Sequence, residues 1–406
     1  MSSVNTASIT NELRPRQRHS GSPSDLKATN RSHPDLTNRD HSKHVRLHEL
    51  KAARVNLNFA HHAIPAQCTS CGCCRYTRCR SPLSRATRRQ LEMSGLDWAR
   101  KVFRLRRVPY ETCTPAAVQS LLCNILGLPS DHVVVHSVAR TTEIFEVPSR
   151  TATLQMKSIP ACLQHALANN EWALQVTGRS PADVLILDTH FVGMTILYDP
   201  PPSRHQADCI AISGLASHPF GSWQPRGQDK TFMWIRDTIP AACPEIRTVI
   251  YGYDSKLTTT RSFQSITDIS LGLILHLKSG GWNRPSSKPL VFLAHSLGGL
   301  VLKEAIVQMA ENRDQTVSDV LRNVCGAIMF GVPSLGMEQS HLMAMVEGQP
   351  NESLVQDLSR DANYVRQLNA RFEGLSFLRT ARIFWAYETE ESPTVEVGSP
   401  KDGWRI

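Results

Sequence analysis

Pro289–Lys303 reads P-L-V-F-L-A-H-S-L-G-G-L-V-L-K, and the fold follows from it. Leu290–Ala294 is an apolar run long enough for a buried strand and too short for a membrane span. A helical pattern begins at Leu300. Between them, His295-Ser296-Leu297-Gly298-Gly299 makes a tight turn that carries a serine. Strand, serine turn and helix together are the context of a nucleophile elbow. Such a turn brings backbone very close, so small residues are needed two before and two after the serine. Here they are Ala294 and Gly298, an A-x-S-x-G variant of the commoner G-x-S-x-G. The turn sets Ser296 Oγ at the carboxyl end of a sheet, where the N-terminus of the next helix can hold an oxyanion.

The 406 residues suffice for one large or two ordinary domains. No stretch reaches the length of a membrane-spanning helix, and the first twenty residues lack the apolar core of a secretory signal. The formal charge of +9 is uneven: residues 1–110 carry 21 Lys and Arg against 7 Asp and Glu, and the remainder is net acidic. Residues 1–100 are rich in Ser, Arg, His, Asn and Pro with little periodicity, and are expected to be a disordered basic arm. Such an arm can touch an anionic membrane surface; more often it is a solvated tail, and nucleic-acid binding is not expected. Within it Cys68 and Cys71 have metal-ligand spacing, with Cys73, Cys74, Cys79, His61 and His62 nearby. A second, separated ligand pair is missing, so no metal is expected. The other cysteines are scattered in apolar contexts, as in a reducing, intracellular compartment.

Residues 101–178 read as strand, helix, strand, strand, helix, strand. Val102–Val108 alternates, Thr114–Leu128 opens with Thr-Pro, and His132–Val138, Thr151–Met156 and Trp172–Thr177 are strand-like around a helix at Pro160–Ala168. That order predicts a small ferredoxin-like α+β module. RNA-recognition modules share it, but aromatic residues at stacking positions are scarce apart from Phe103.

From residue 182 to 406 strands alternate with helices, which predicts a doubly wound, mostly parallel α/β sheet. Val184–Asp188 and Met194–Tyr198 are read as its first two strands, joined by a short turn. Further strands are expected at Cys209–Ser213, Thr248–Tyr253, Val324–Phe330 and Ala381–Tyr387, with helices near Phe232–Ile239, Phe263–Leu277 and Leu354–Phe372. The last strand carries apolar Ile383, Phe384 and Trp385, an edge that could support self-association.

Acyl transfer needs a nucleophile, a base, a group orienting the base, and an oxyanion hole. Ser296 is the expected nucleophile. The Leu297 N–H and the Leu215 N–H, after Gly214 at the end of an earlier strand, are the expected oxyanion donors. Glu388, just beyond the last strand, is the expected acid, with Glu390 and Glu391 close by. The base has no placement: no histidine follows His341, which reads as an ordinary surface-helix residue, and the turn directs His295 away from Oγ.

Five segments carry a resemblance: I-S-G-L-A-S-H-P-F-G-S-W (Ile212–Trp223), M-W-I-R-D (Met233–Asp237), Y-G-Y-D-S (Tyr251–Ser255), A-H-S-L-G-G-L-V-L-K (Ala294–Lys303) and F-G-V-P-S-L-G-M (Phe330–Met337). With them, residues 182–406 resemble the α/β-hydrolases of the serine-active-site-containing (DUF676, lipase-like) family, and in particular fungal hydrolase domains at the front of multidomain proteins. The resemblance implies a serine esterase acting on acyl or lipid-like esters without a cofactor, in association with mitochondrial or endoplasmic reticulum membranes. It maps the nucleophile to Ser296, the oxyanion loop to Gly214-Leu215 and the acid to Glu388. The chain departs from the family at Ser213, where a histidine is usual, and at Val332-Pro333-Ser334, where Thr-Pro-His is usual. Family members continue into another strand and a histidine-bearing loop, so a domain lacking its last strand is expected. The rival expectation is a binding or sensor domain that keeps the scaffold without turnover.

Overall fold

The computed structural model describes residues 101–387, apart from 144–146, 165–169, 177–183, 226–229 and 259. The expectations for the basic arm, for Cys68–Cys79 and for Glu388 lie outside the described residues.

The first sheet follows the alternation read from the sequence. Strand β1 (Val102–Pro109) leads through helix α1 (Pro115–Leu126) to β2 (Val133–Arg140) and β3 (Ser149–Met156). Helix α2 (Ala161–Gln164) precedes β4 (Glu171–Gln175) and β5 (Val184–Asp188). Thr114 caps α1 by accepting the Ala117 N–H at 3.2 Å, and Pro115 occupies the first turn, as the Thr-Pro pair predicts. Phe103, Leu105, Leu154, Trp172, Leu185 and Leu187 share one core with Val118 and Leu122 of α1.

The strand order is β2-β3-β1-β5-β4, and this corrects one expectation. Val184–Asp188 does not open the second sheet. It inserts antiparallel between β1 and β4, with Leu105 opposite Leu187 and Arg104 opposite Asp188. Leu185 and Leu187 project into the first core, and Asp188 meets the two β1 arginines, which decides the pairing.

The second sheet contains β6 (Gly193–Tyr198), β7 (Ala207–Ile212), β8 (Ile246–Gly252), β9 (Leu290–His295), β10 (Val324–Phe330) and β11 (Arg382–Ala386). Its order is β11-β10-β9-β7-β8-β6, parallel throughout except for β6. The connecting helices are α3 (Trp234–Ala242), α4 (Ile266–Ser279), α5 (Leu297–Glu311), α6 (Gln315–Asn323), α7 (Ser340–Val346), α8 (Glu352–Gln356) and α9 (Asn363–Glu373). This is an α/β-hydrolase sheet. Its strands are apolar at nearly every position because both faces are covered. Ile210 and Ile212 pack toward α4 and α5, whereas Cys209 and Ala211 pack on the other face with Trp223, Met233 and Ile235. The single helix expected over Leu354–Phe372 is two, α8 and α9, separated where Ser359 bridges back to Met337. Among the described residues β11 ends the sheet on its side, with Phe384, Trp385 and Tyr387 exposed.

One buried cation joins the sheets. Arg104 on β1 is 1% exposed and donates to Asp188 at 2.9 Å, to Thr195 Oγ1 on β6 at 2.8 Å and to the Val192 carbonyl at 3.0 Å. Burial alone would raise the Asp188 carboxyl, but Arg104, His190 and Arg106 outweigh it and hold it below its usual value. The carboxylate therefore supplies stability above its unfolded-state value near pH 4, lost as pH falls through the depressed one. Asp188→Ala would strand a buried guanidinium and should cost about 3–5 kcal/mol at neutral pH in denaturant unfolding. A loss below about 1 kcal/mol would show that the pair does not hold the sheets.

Candidate active site

The site grows from the register of three parallel strands. Ile212 on β7 pairs with Ala294 on β9, so Ser213-Gly214 leave the sheet beside His295-Ser296. His295 pairs with Phe330 on β10, and Phe330 pairs with Ala386 on β11. All these ends are level, at the carboxyl edge where α/β sheets place their chemistry.

Ser296 sits between β9 and α5 with φ 52° and ψ −123°, a conformation that costs a non-glycine residue about 1–3 kcal/mol. Its N–H donates to the Phe330 carbonyl at 2.9 Å, which holds the strained residue against β10. The small residues predicted around it are necessary. A Cβ on Gly298 would lie 2.5 Å from the Ser213 carbonyl oxygen and 2.6 Å from that of Ile212. A Cβ on Gly214 would lie 2.9 Å from Ser296 Cβ. Ala294 is fully buried. Helix α5 begins at Leu297, three residues earlier than its sequence pattern, so the Leu297 N–H lies in the first turn, where no intrahelical acceptor exists.

The loop carrying Leu215 is fixed by residues that the sequence reading gave no role. Tyr253 is buried and donates its hydroxyl proton to the Ser213 carbonyl at 2.8 Å; burial pushes its own ionisation well above the usual range. Ala216 has φ 53°, and its N–H donates to the Ser255 carbonyl at 2.7 Å. Ser255 Oγ donates to the Ser217 carbonyl at 2.9 Å, and Ser217 Oγ to the Leu215 carbonyl at 3.1 Å. The Tyr251–Ser255 segment is thus the support of the loop beside Ser296. In the sequence this segment stood out only as one of the five that carry the resemblance.

A small apolar cluster borders that loop. Leu257, Val346 and Val355 are buried together, and Leu215, Ala216, Leu342, Met343 and Met345 pack against them. Helix α7 therefore lies over the Leu215 loop, carrying His341 exposed in its first turn.

No hydrogen bond joins Ser296 Oγ to a histidine among the described residues. His218 has both ring nitrogens engaged: Nε2 donates to the Thr189 carbonyl at 2.7 Å, and Nδ1 accepts the N–H groups of Phe220 and Gly221. Burial holds its basicity down, so it is a neutral brace for the Ser217–Trp223 loop.

The fold and site define the chain as having an α/β-hydrolase architecture with a serine at the strand–helix turn. No family model matches the chain. It is similar to Protein SERAC1 of Danio rerio, 25% identical over 205 residues, or 45% of this chain and 30% of that protein. It is also 25% identical to Protein SERAC1 of Homo sapiens over 186 residues, 41% of this chain and 28% of that one. The matched part thus spans less than a third of these relatives. Among solved structures, Bacillus licheniformis lipase BlEst2 in mature form aligns at TM-score 0.34 and 12% identity, covering 47% of this chain and 70% of that one. Phospholipase PlaB from Legionella pneumophila, in complex with thio-NAD, aligns at TM-score 0.35 and 13% identity, covering 45% and 37%.

The strain at Ser296 makes a prediction that inverts an ordinary rule. At a normal position glycine is about 0.5–1 kcal/mol less stable than alanine. Here Ser296→Gly should exceed Ser296→Ala by about 1 kcal/mol, because only glycine takes this backbone without penalty. Thermal unfolding of the two variants in the usual order would show that the turn is relaxed.

Proposed function

We propose that the chain is a serine hydrolase of acyl esters, with Ser296 as nucleophile, the Leu215 and Leu297 N–H groups as oxyanion hole and Glu388 as orienting acid. The observation that carries this is the strained Ser296 turn, held level with the Leu215 loop. A chance turn has no reason to keep a non-glycine residue at φ 52° while three strand ends converge on it.

In this reading Ser296 Oγ attacks the ester carbonyl carbon as its proton passes to a base. The carbonyl oxygen becomes an oxyanion and accepts from the two backbone N–H groups. Collapse expels the alkoxide, which takes the proton, and water then releases the acid from the acyl-serine. Lipid-like substrates are supported by the cluster of Leu257, Met343, Met345 and Val346 beside Leu215, since unbranched methionines adapt to apolar chains of varied shape. An organelle membrane surface, mitochondrial or endoplasmic reticulum, is the setting that such substrates and a basic arm suit. Among the described residues no helix is long and apolar enough to cross a membrane. Closer membership in the DUF676 lipase-like family, of the fungal type, belongs to this same reading.

A second reading is a binding or sensor domain on the same scaffold. It is favoured by one observation: no described histidine is hydrogen-bonded to Ser296 Oγ. Removing a triad member leaves about 10³–10⁴-fold catalysis over water from the oxyanion hole and binding. The hydrolase reading therefore expects at least slow release of p-nitrophenol from a medium-chain ester by the full chain. The oxyanion hole can leave such a background in Ser296→Ala as well, so the covalent step is read directly: an acyl adduct on Ser296, trapped by rapid acid quench and located by mass spectrometry, is expected in the wild type and absent in Ser296→Ala. No acyl adduct on Ser296 in the wild type would leave the binding-domain reading in place. If turnover is fast, His341→Ala tests whether α7 supplies the base.

A further inference from the structure

A cleft of about 540 Å³ opens between the two sheets, large enough for a small organic molecule. One wall is made by the ends of β1 and β2 and the start of β3. The other is made by the loop at 199–206, the start of β8 and the turn after α4. Ala207 pairs with Ile246 and Asp208 with Leu290 beside it, so the cleft sits at the amino edge of the second sheet. Ser296 lies at the opposite edge, a six-residue strand or about 20 Å away.

Four cations line this cleft: Arg140, Arg247, Arg284 and Lys288. Buried cations elsewhere have partners. Arg104 meets Asp188, and Lys303 on α5 donates to Ser334 Oγ at 2.8 Å and Asn369 Oδ1 at 2.7 Å, with the Trp385 and Phe372 rings against its ammonium. In the cleft only half of this is done. Asp199 takes Nε and Nη2 of Arg140, and Asp208 takes those of Arg247 at 2.6 and 2.9 Å. Asp208 is fully buried and also accepts from Trp282 Nε1 and His205 Nε2, both at 2.8 Å, so the Arg247 guanidinium is fixed along one edge. Its Nη1 donors have no acceptor among the described residues. Arg284 and Lys288 make no ion pair or side-chain hydrogen bond among the described residues. The turn carrying them is nonetheless braced. The Arg284 N–H donates to the Gly281 carbonyl at 3.1 Å, and Asn323 Nδ2 donates to the Trp282 carbonyl and to Ser287 Oγ, both at 2.8 Å.

Thr142, on the facing wall, points to the same ligand chemistry. It is 8% exposed and lines the cleft, yet its hydroxyl has no hydrogen-bond partner among the described residues. A buried hydroxyl is ordinarily hydrogen-bonded, and the cleft is where this one can meet an acceptor. Asp199 and Asp208 offset Arg140 and Arg247; Arg284 and Lys288 then stand against Glu143, exposed at the rim. Donors thus converge from both walls and from the turn, which suits the three terminal oxygens of a phosphate monoester better than a planar carboxylate. We propose that this cleft binds the phosphate of a monoester, soluble or the headgroup of a lipid. Arg284, Lys288 and the open edge of Arg247 hold its oxygens, and the Thr142 hydroxyl donates to one of them. The site does not rest on the hydrolase reading.

The test uses the full chain. Glycerol 3-phosphate is titrated by calorimetry, and sedimentation measures binding to phosphatidylcholine vesicles, plain or doped with phosphatidic acid. Glycerol 3-phosphate should bind saturably at one site. Arg284→Gln/Lys288→Gln should weaken it about tenfold or more and Thr142→Val severalfold. Arg313→Gln/Arg379→Gln, which removes the same charge from exposed positions outside the cleft and leaves the basic arm unchanged, should bind as wild type. Equal affinity in wild type and Arg284→Gln/Lys288→Gln, or an equal loss in Arg313→Gln/Arg379→Gln, overturns the site. Should the first double variant not fold, Lys288→Gln and Thr142→Val carry the same comparison. The vesicles separate the two sources. Extra binding to phosphatidic acid that falls in Arg284→Gln/Lys288→Gln and not in Arg313→Gln/Arg379→Gln assigns a lipid headgroup. Saturable glycerol 3-phosphate binding without that extra vesicle binding assigns a soluble ester. Absence of both overturns the proposal.

Discussion

The structure depends on how closely three strand ends approach one another at Ser296. The Gly298 Cα stands so near the Ile212 and Ser213 carbonyls that no side chain fits, and the serine takes a left-handed backbone to make the turn. That conformation is unfavourable by itself. It is tolerated because the parallel register of β7, β9 and β10 fixes both ends of the turn, and because the Phe330 carbonyl takes the Ser296 N–H. Strain, first-turn N–H groups and a helix N-terminus thereby meet at a single serine.

The surroundings brace that turn from two sides. The Leu215 loop is stitched from beneath by Tyr253 and Ser255. The β10 loop and β11 are gathered around Lys303. The first sheet stands apart from this machinery and is fastened to the second through Arg104, whose guanidinium satisfies acceptors on β5, on the turn after it and on β6. Among the described residues its five antiparallel strands bring none to the serine turn.

What the sequence made legible was local. Apolar runs and alternation located ten of the eleven described strands in the right sheets, and Ala294, Ser296 and Gly298 disclosed the turn because sterics leave few residues able to occupy it. Strand Val184–Asp188 was assigned to the wrong sheet because its own pattern says only that it is half-buried. Its partner is chosen by Arg104 and Arg106, about eighty residues earlier. Tyr253, Ala216 and Lys303 escaped for the same reason: a tyrosine after a strand or a lysine in a helix looks ordinary until the fold brings a carbonyl or two rings to it. Helix α5 hides its lysine among residues buried on all sides. Glu388 follows a strand whose end is level with Ser296, which is as near as the described residues come to the expected acid.

The proposed function requires Ser296 to be an activated, addressable nucleophile of the folded chain. The most direct measurement is peptide mapping by mass spectrometry after exposing the folded protein to a fluorophosphonate. One phosphonyl adduct is expected on the peptide containing Ala294–Lys303, located at Ser296 and absent when the chain is denatured before exposure. An unmodified Ser296 peptide, or an adduct that forms equally well on the denatured chain, would contradict it.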